Sequence, residues 1–237
     1  MSTIETAGAA AATAGHAARP PFLAEQFDDM GSQLAASKLG IWLFLASEVL
    51  FFSGLFVAYG VYRAHHPELF RYASLFLDWR LGATNTVVLI SSSLAAAWSV
   101  RAAQLGQRRV LTLTLVATVA LAATFMVVKF FEYGHKLHNG IGWGPSCSPS
   151  QELLASLPAA AQALPVPQHL GTFFSIYYMM TGLHGIHVLV GMGLYGWLIA
   201  RRADFGPGYY GPVDTVALYW HLVDLIWIFL FPLLYLI

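Results

Sequence analysis

The chain has 237 residues, 57% of them apolar and only 10% charged, with 12 basic and 12 acidic side chains and no net charge. A soluble domain of that length would have almost nothing polar to present to water, so the composition demands an integral membrane protein. The basic residues are dispersed through loops and offer nothing to a nucleic acid, and the single cysteine, Cys147, excludes an intrachain disulfide and any Cys-based zinc or iron–sulfur centre.

Residues 1–37 read as an N-terminal cytoplasmic tail, with Arg19-Pro20-Pro21 followed by the acidic Glu25, Asp28 and Asp29 and no signal-peptide core. Residues 38–237 read as one all-α, polytopic membrane bundle. About 20 apolar residues cross a bilayer core about 30 Å thick, and five stretches qualify: 39–62, 82–103, 110–131, 171–200 and 213–237. The fourth is long enough to require tilt. The linkers at 101–109 and 201–212 are short, that at 63–81 is longer, and the outer loop at 133–169 is longest. Its Pro-flanked stretch from Gln151 to Leu164 is expected to form a short surface helix or a docking element for a partner on the outer face.

Orientation follows from Lys and Arg in short loops. Lys38, Arg101, Arg108, Arg109, Arg201 and Arg202 place those segments and the N-terminus in the cytoplasm, and the C-terminus outside. Arg63, Arg71, Arg80, Lys129 and Lys136 fall on the other face. Tyr62, Trp79 and Trp143 fit an outer aromatic belt and Tyr209-Tyr210 an inner one.

Ionisable residues deep in a span persist only with a partner, a cavity or a task. Glu48 lies about 13 Å past Leu39, and His221 and Asp224 about 12 to 16 Å past Val213, all near mid-bilayer. Asp224 follows His221 at i, i+3, so one helical face carries both, expected to turn into the bundle or a partner interface and away from lipid. His184 and His187 repeat that spacing, while Glu132 ends its span near the outer surface. A membrane histidine is more often a packing residue than a ligand, and a haem would need histidines on facing helices. A carboxylate at the depth of Glu48 needs a partner or a proton, and a hydrogen bond to His187 or His184 is expected. Glycines 182, 185, 191, 193 and 196 should let neighbouring helices approach closely, and Thr84-Asn85-Thr86 and Ser91-Ser92-Ser93 read as interhelical hydrogen-bonding groups.

Five ordered motifs resemble subunit III of the haem-copper oxidases, the cytochrome c and quinol oxidase complexes. They are Trp42-Leu-Phe-Leu-Ala-Ser47-Glu48-Val-Leu-Phe-Phe52, Asn85-Thr86, Glu132-Tyr133, Thr181-Gly-Leu-His184-Gly-Ile-His187-Val188, and Tyr219-Trp-His221-Leu-Val-Asp224-Leu-Ile-Trp227-Ile-Phe229. The longer family members have seven helices, so this chain resembles a short form lacking the first two. Asp214 stands where many members have Glu, and the 133–169 loop is longer than the family pattern.

The resemblance implies a non-catalytic subunit without redox centres of its own, packed on the catalytic subunit I in a complex that includes subunit II, with haems and copper in those partners. It also implies structural phospholipid in a cleft, support of proton uptake, and a place in a bacterial inner membrane. Glu48 resembles the family carboxylate that reacts with hydrophobic carbodiimides. Lipid donors are expected from Arg201 and Arg202 on the inner face and from Arg63, His65 and His66 on the outer. Two other readings stand beside this one: a subunit III-like partner of a nitric oxide reductase, and an autonomous transporter or haem protein built on Glu48, His184, His187, His221 and Asp224.

Overall fold

A computed structural model describes residues 20–162 and 165–237; among the described residues the regular elements are helices, five of them long and apolar enough to cross a membrane. They are α1 (Met30–His65), α3 (Trp79–Gln104), α4 (Arg108–His138), α7 (Leu170–Ala200) and α8 (Gly211–Tyr235), joined by the shorter α2 (Pro67–Ser74), α5 (Gln151–Ala155) and α6 (Ala159–Gln162). All five expected spans are present, and their ends moved for local reasons. The first begins at Met30, inside the stretch read as tail, because Asp29 accepts from the Ser32 backbone N–H at 2.7 Å and Ser32 reciprocates, a capping box. Residues 20–29 of the expected tail form turns ahead of this helix, and residues 1–19 lie outside the described residues. The third span runs on to His138, because Glu132, Lys129 and Lys136 are satisfied inside the bundle.

α3 and α4 each turn a continuous stripe inward. In α3 the stripe is Gly82, Asn85, Leu89, Ser92, Ala96, Ser99 and Ala103, with Ala102 buried beside it, and in α4 Leu111, Leu115, Thr118, Ala122, Phe125, Lys129, Glu132 and Lys136. Alternating steps of three and four give one inward seam per helix, and the small residues of α3 let α4 lie close against it. A turn at Gly106, with φ of +67°, joins them.

α8 is the hub. It packs on α1, α3 and α7, and buries Trp220 and Trp227 fully. α1 is peripheral: only Leu45, Phe52 and Tyr59 are buried, seven residues apart, while Trp42, Leu50 and Val57 face outward. Tyr59 fastens its far end by donating to the Leu233 carbonyl, one of the last-turn carbonyls of α8 with no partner inside the helix.

The long loop folds onto its own bundle. Tyr178 donates to the Ile141 carbonyl at 2.8 Å, Trp143 stacks on the Tyr178 ring, and the Gly144 N–H donates to Ser175. The expected short helix within residues 151–164 is present as α5, capped by Ser150.

The glycines of α7 behave less uniformly than expected. Of the five expected to allow close approach, only Gly191 lies against a neighbour: a Cβ there would stand 2.5 Å from the Trp220 ring, whereas Gly182, Gly185, Gly193 and Gly196 face open space. Gly191→Ala is therefore expected to lower stability by about 1 to 3 kcal/mol through overpacking, and Gly185→Ala to be tolerated. Thermal melting of the purified protein checks both, and an unaltered Gly191→Ala melt would refute the close approach.

Candidate functional site

Glu48 reaches from α1 to His187 on α7, with 3.0 Å between Oε2 and Nε2. The other ring nitrogen, Nδ1, lies 2.8 Å from the Leu183 carbonyl, which can only accept, so Nδ1 carries a hydrogen. In a neutral ring Nε2 is then an acceptor. The contact with Glu48 thus requires one more proton, on the carboxyl or on the ring, and the pair holds it between them. Both side chains remain 18% exposed. They sit beside a groove of about 450 Å³ lined by Ile41, Phe44, His187, Val190 and Tyr219. A larger pocket of about 790 Å³ shares Ile41, Phe44, Thr215 and Val216 with that groove and extends to Gln33, Ser37 and Tyr209 at the short-loop end.

His184 does not share this pair. It is fully buried, with Phe125 and Trp227 rings at 5.6 and 5.1 Å, and neither ring nitrogen makes a hydrogen bond. His221 Nδ1 lies 2.6 Å from the Ser93 hydroxyl, Trp220 donates to Ser92 at 3.0 Å, and Trp227 donates to Thr86 at 3.1 Å. Three of the six expected hydroxyl and amide groups on α3 therefore do bind α8. Ser91 and Thr84 bond only their own helix, and Asn85 is buried without a hydrogen bond. Asp224 is 3% exposed and turned into the bundle, with no hydrogen bond to either oxygen.

Glu132 is not at a surface. It is 6% exposed and anchors an ionic knot that the sequence reading missed, taking Lys129 from one side and Lys136 from the other. Tyr235 of α8 and Tyr177 of α7 both donate to Glu132 Oε1, at 2.6 and 2.9 Å, and Lys129 also reaches the Tyr235 hydroxyl. Beside the knot Tyr133 lies 2.5 Å from Thr181, whose own hydroxyl donates to the Tyr177 carbonyl. The signal is present in the spacing: Lys129, Glu132 and Lys136 fall at i, i+3 and i+7, one face of one helix, whereas a loop count assigns both lysines to the outer face.

Residues 167–237, which hold α7 and α8, match the family model described as cytochrome c oxidase subunit III. The chain is 30% identical over 200 residues to a probable cytochrome c oxidase subunit 3 of Nocardia farcinica, an alignment spanning 84% of this chain and 86% of that one. It is 31% identical over 207 residues to cytochrome c oxidase subunit 3 of Thermostichus vulcanus, with 84% and 86% covered. This chain belongs to the cytochrome c oxidase subunit III family. It is a terminal oxidase subunit III and a multi-pass membrane protein.

Subunit III chains generally carry no redox cofactor, and among the described residues no three His, Cys, Asp or Glu side chains gather as a metal site. The remaining candidate residues of this subunit III lie at its two ends. Arg201 and Arg202 are exposed, with Arg201 3.6 Å from Asp204 and Arg202 on the Ile199 carbonyl. At the long-loop end Arg63 reaches the Tyr59 hydroxyl at 3.3 Å, His65 donates to the Val61 carbonyl, and exposed His66 has its ring 6.3 Å from that of His169.

Removing the acid from the ionic knot strands two buried cations. Glu132→Ala should destabilise subunit III by about 3 to 5 kcal/mol, whereas replacing Glu132, Lys129 and Lys136 together by apolar residues of similar volume should recover most of the loss. Thermal unfolding of the three proteins measures this, and equal loss in the single and triple variants would contradict it. Glu48→Gln keeps a donor for His187 Nε2 and should fold as the parent does, while Glu48→Ala leaves that nitrogen unpaired at a cost of about 1 to 3 kcal/mol by the same assay.

Proposed function

We propose that this chain is the accessory, non-catalytic subunit III of a proton-pumping oxidase in a bacterial inner membrane, packed on catalytic subunit I in a complex that also contains subunit II. The haems and copper belong to those partners, and this chain contributes stability, lipid retention and support of proton uptake. The observation that carries the reading is the Glu48–His187 pair, a site holding one proton between two side chains at the edge of an apolar groove. A groove of that size beside an exposed helix suits acyl chains, and its larger pocket ends near tyrosines and polar side chains suited to a headgroup.

The exposed apolar flank of α1, with Trp42, Leu50 and Val57, supports α1 as a surface for lipid or for the catalytic partner. With Lys129 and Lys136 buried, the basic residues left in the short loops and at Lys38 support a cytoplasmic N-terminus and an external C-terminus. Relatives named as cytochrome c oxidase subunits favour an oxidase over a nitric oxide reductase as the host complex. Pairing of His187 with Glu48, and burial of His184 between two aromatic rings, argue against a haem held by that pair.

The test uses the intact complex in native-like lipid. Arg201→Ala with Arg202→Ala should leave the initial rate of O2 reduction near that of the parent yet shorten the run of turnovers before activity decays, through loss of an inner-leaflet lipid anchor. Parental longevity in the double variant would remove the anchoring role. Failure of this chain to copurify with a haem- and copper-containing subunit would overturn the whole reading.

A further inference from the structure

At the long-loop end, away from the Glu48 groove, a pocket of about 600 Å³ lies between the start of α3, the end of α4 and the helix α5 that folds over them. Its wall is apolar, with Leu81, Val128 and Phe131 on the bundle and Leu153 and Leu157 on the covering segment. Phe131 is 69% exposed and Leu81 39%, so the pocket is flanked by side chains that face hydrocarbon in a membrane.

Its polar side carries two charged groups with bonding capacity to spare, the buried Lys136 and, at the exposed rim, Asp78. Lys136, 3% exposed, donates to Glu132 and to Tyr177, which uses two of the three ammonium hydrogens. Asp78 spends Oδ1 on the Arg80 N–H, which caps α3, and Oδ2 has no partner. Both residues line the pocket, yet they form no ion pair with each other. Glu132 is saturated by its lysines and tyrosines and offers nothing further.

We infer that this pocket seats one zwitterionic glycerophospholipid, its phosphate on Lys136, its ammonium on Asp78, and an acyl chain descending along Val128 and Phe131. The charge complementarity selects the occupant. A positive donor and a negative acceptor that face one cavity without touching match a headgroup carrying both signs a few bonds apart, and match neither a purely anionic lipid nor a free phosphate. The covering segment belongs to the long loop, and the seat shares no lining residue with the groove invoked for the function, so its test is independent of the oxidase reading.

The experiment uses the purified complex in nanodiscs of phosphatidylglycerol containing a minor share of phosphatidylethanolamine, with retained lipid counted by native mass spectrometry. The parent should hold one phosphatidylethanolamine that Leu153→Trp, which fills the pocket without touching the ionic knot, does not. Asp78→Asn keeps the helix cap and removes the charge, and should lower the preference for phosphatidylethanolamine over phosphatidylglycerol about fivefold. In the unaltered complex, a photoreactive phosphatidylethanolamine should label the stretch from Leu153 to Pro158, which keeps the inference testable should a variant fail to assemble. Equal retention in parent and Leu153→Trp, an unchanged preference in Asp78→Asn, displacement of the lipid by inorganic phosphate, or absence of label on that stretch would each overturn it.

Discussion

Hydrocarbon offers no hydrogen bonds, and that constraint decides how every helix of this protein is turned. Asn85, Ser92, Ser99, Thr118, Lys129, Glu132, Lys136, Thr181, His184 and Asp224 are buried polar residues, and all lie on the inward faces of their helices. A helix rotated by a third of a turn would carry such groups to lipid at a cost of several kcal/mol each. The apolar side chains could not impose a rotation by themselves, because Leu and Val are as comfortable in acyl chains as against one another. The polar seam therefore orients the bundle, and packing of small and aromatic residues then sets its spacing.

Within that seam α8 collects the connections. Its two buried indoles and its imidazole bond hydroxyls of α3, and its last tyrosine joins the ionic knot on α4. The knot ties α4, α7 and α8 near the long-loop end through one carboxylate. The ion pairs lie within α4, and the hydroxyls of Tyr177 and Tyr235 on that carboxylate carry its links to α7 and α8. α1 stands apart from the knot. It is held along one heptad line, by Lys38 on Asp214, by Glu48 on His187 and by Tyr59 at its far end, which leaves most of its circumference for lipid or a partner subunit.

That division gives the subunit two kinds of polar chemistry. In the knot the carboxylate is buried and saturated by lysines and tyrosines, a structural arrangement. The Glu48–His187 pair is half open, borders a groove, and requires one proton to exist as a contact. A site that must hold a proton and is reachable from the membrane is suited to take part in, or to sense, proton traffic in a neighbouring enzyme, and this contrast is the physical basis of the accessory role proposed for the chain.

Membrane class, the five spans and the family were legible in the chain itself, because hydrophobic length is a one-dimensional quantity and the motifs carry rare residues such as Glu48 and the His221/Asp224 pair at helical spacing. The choice between His187 and His184 as the partner of Glu48 was not, since both lie on α7 one turn apart and only the rotation of that helix in the bundle separates them. The same holds for Glu132. Hydropathy ended its span there because a charge reads as an interface, whereas Tyr177 and Tyr235, remote in sequence, supply the hydroxyls that carry the helix on to His138. Likewise five glycines of α7 look alike in the sequence, and only the position of Trp220 makes Gly191 the contact. Length and periodicity are local and survive in one dimension; the pairing of buried polar groups depends on which helix faces which, and only the tertiary structure decided that.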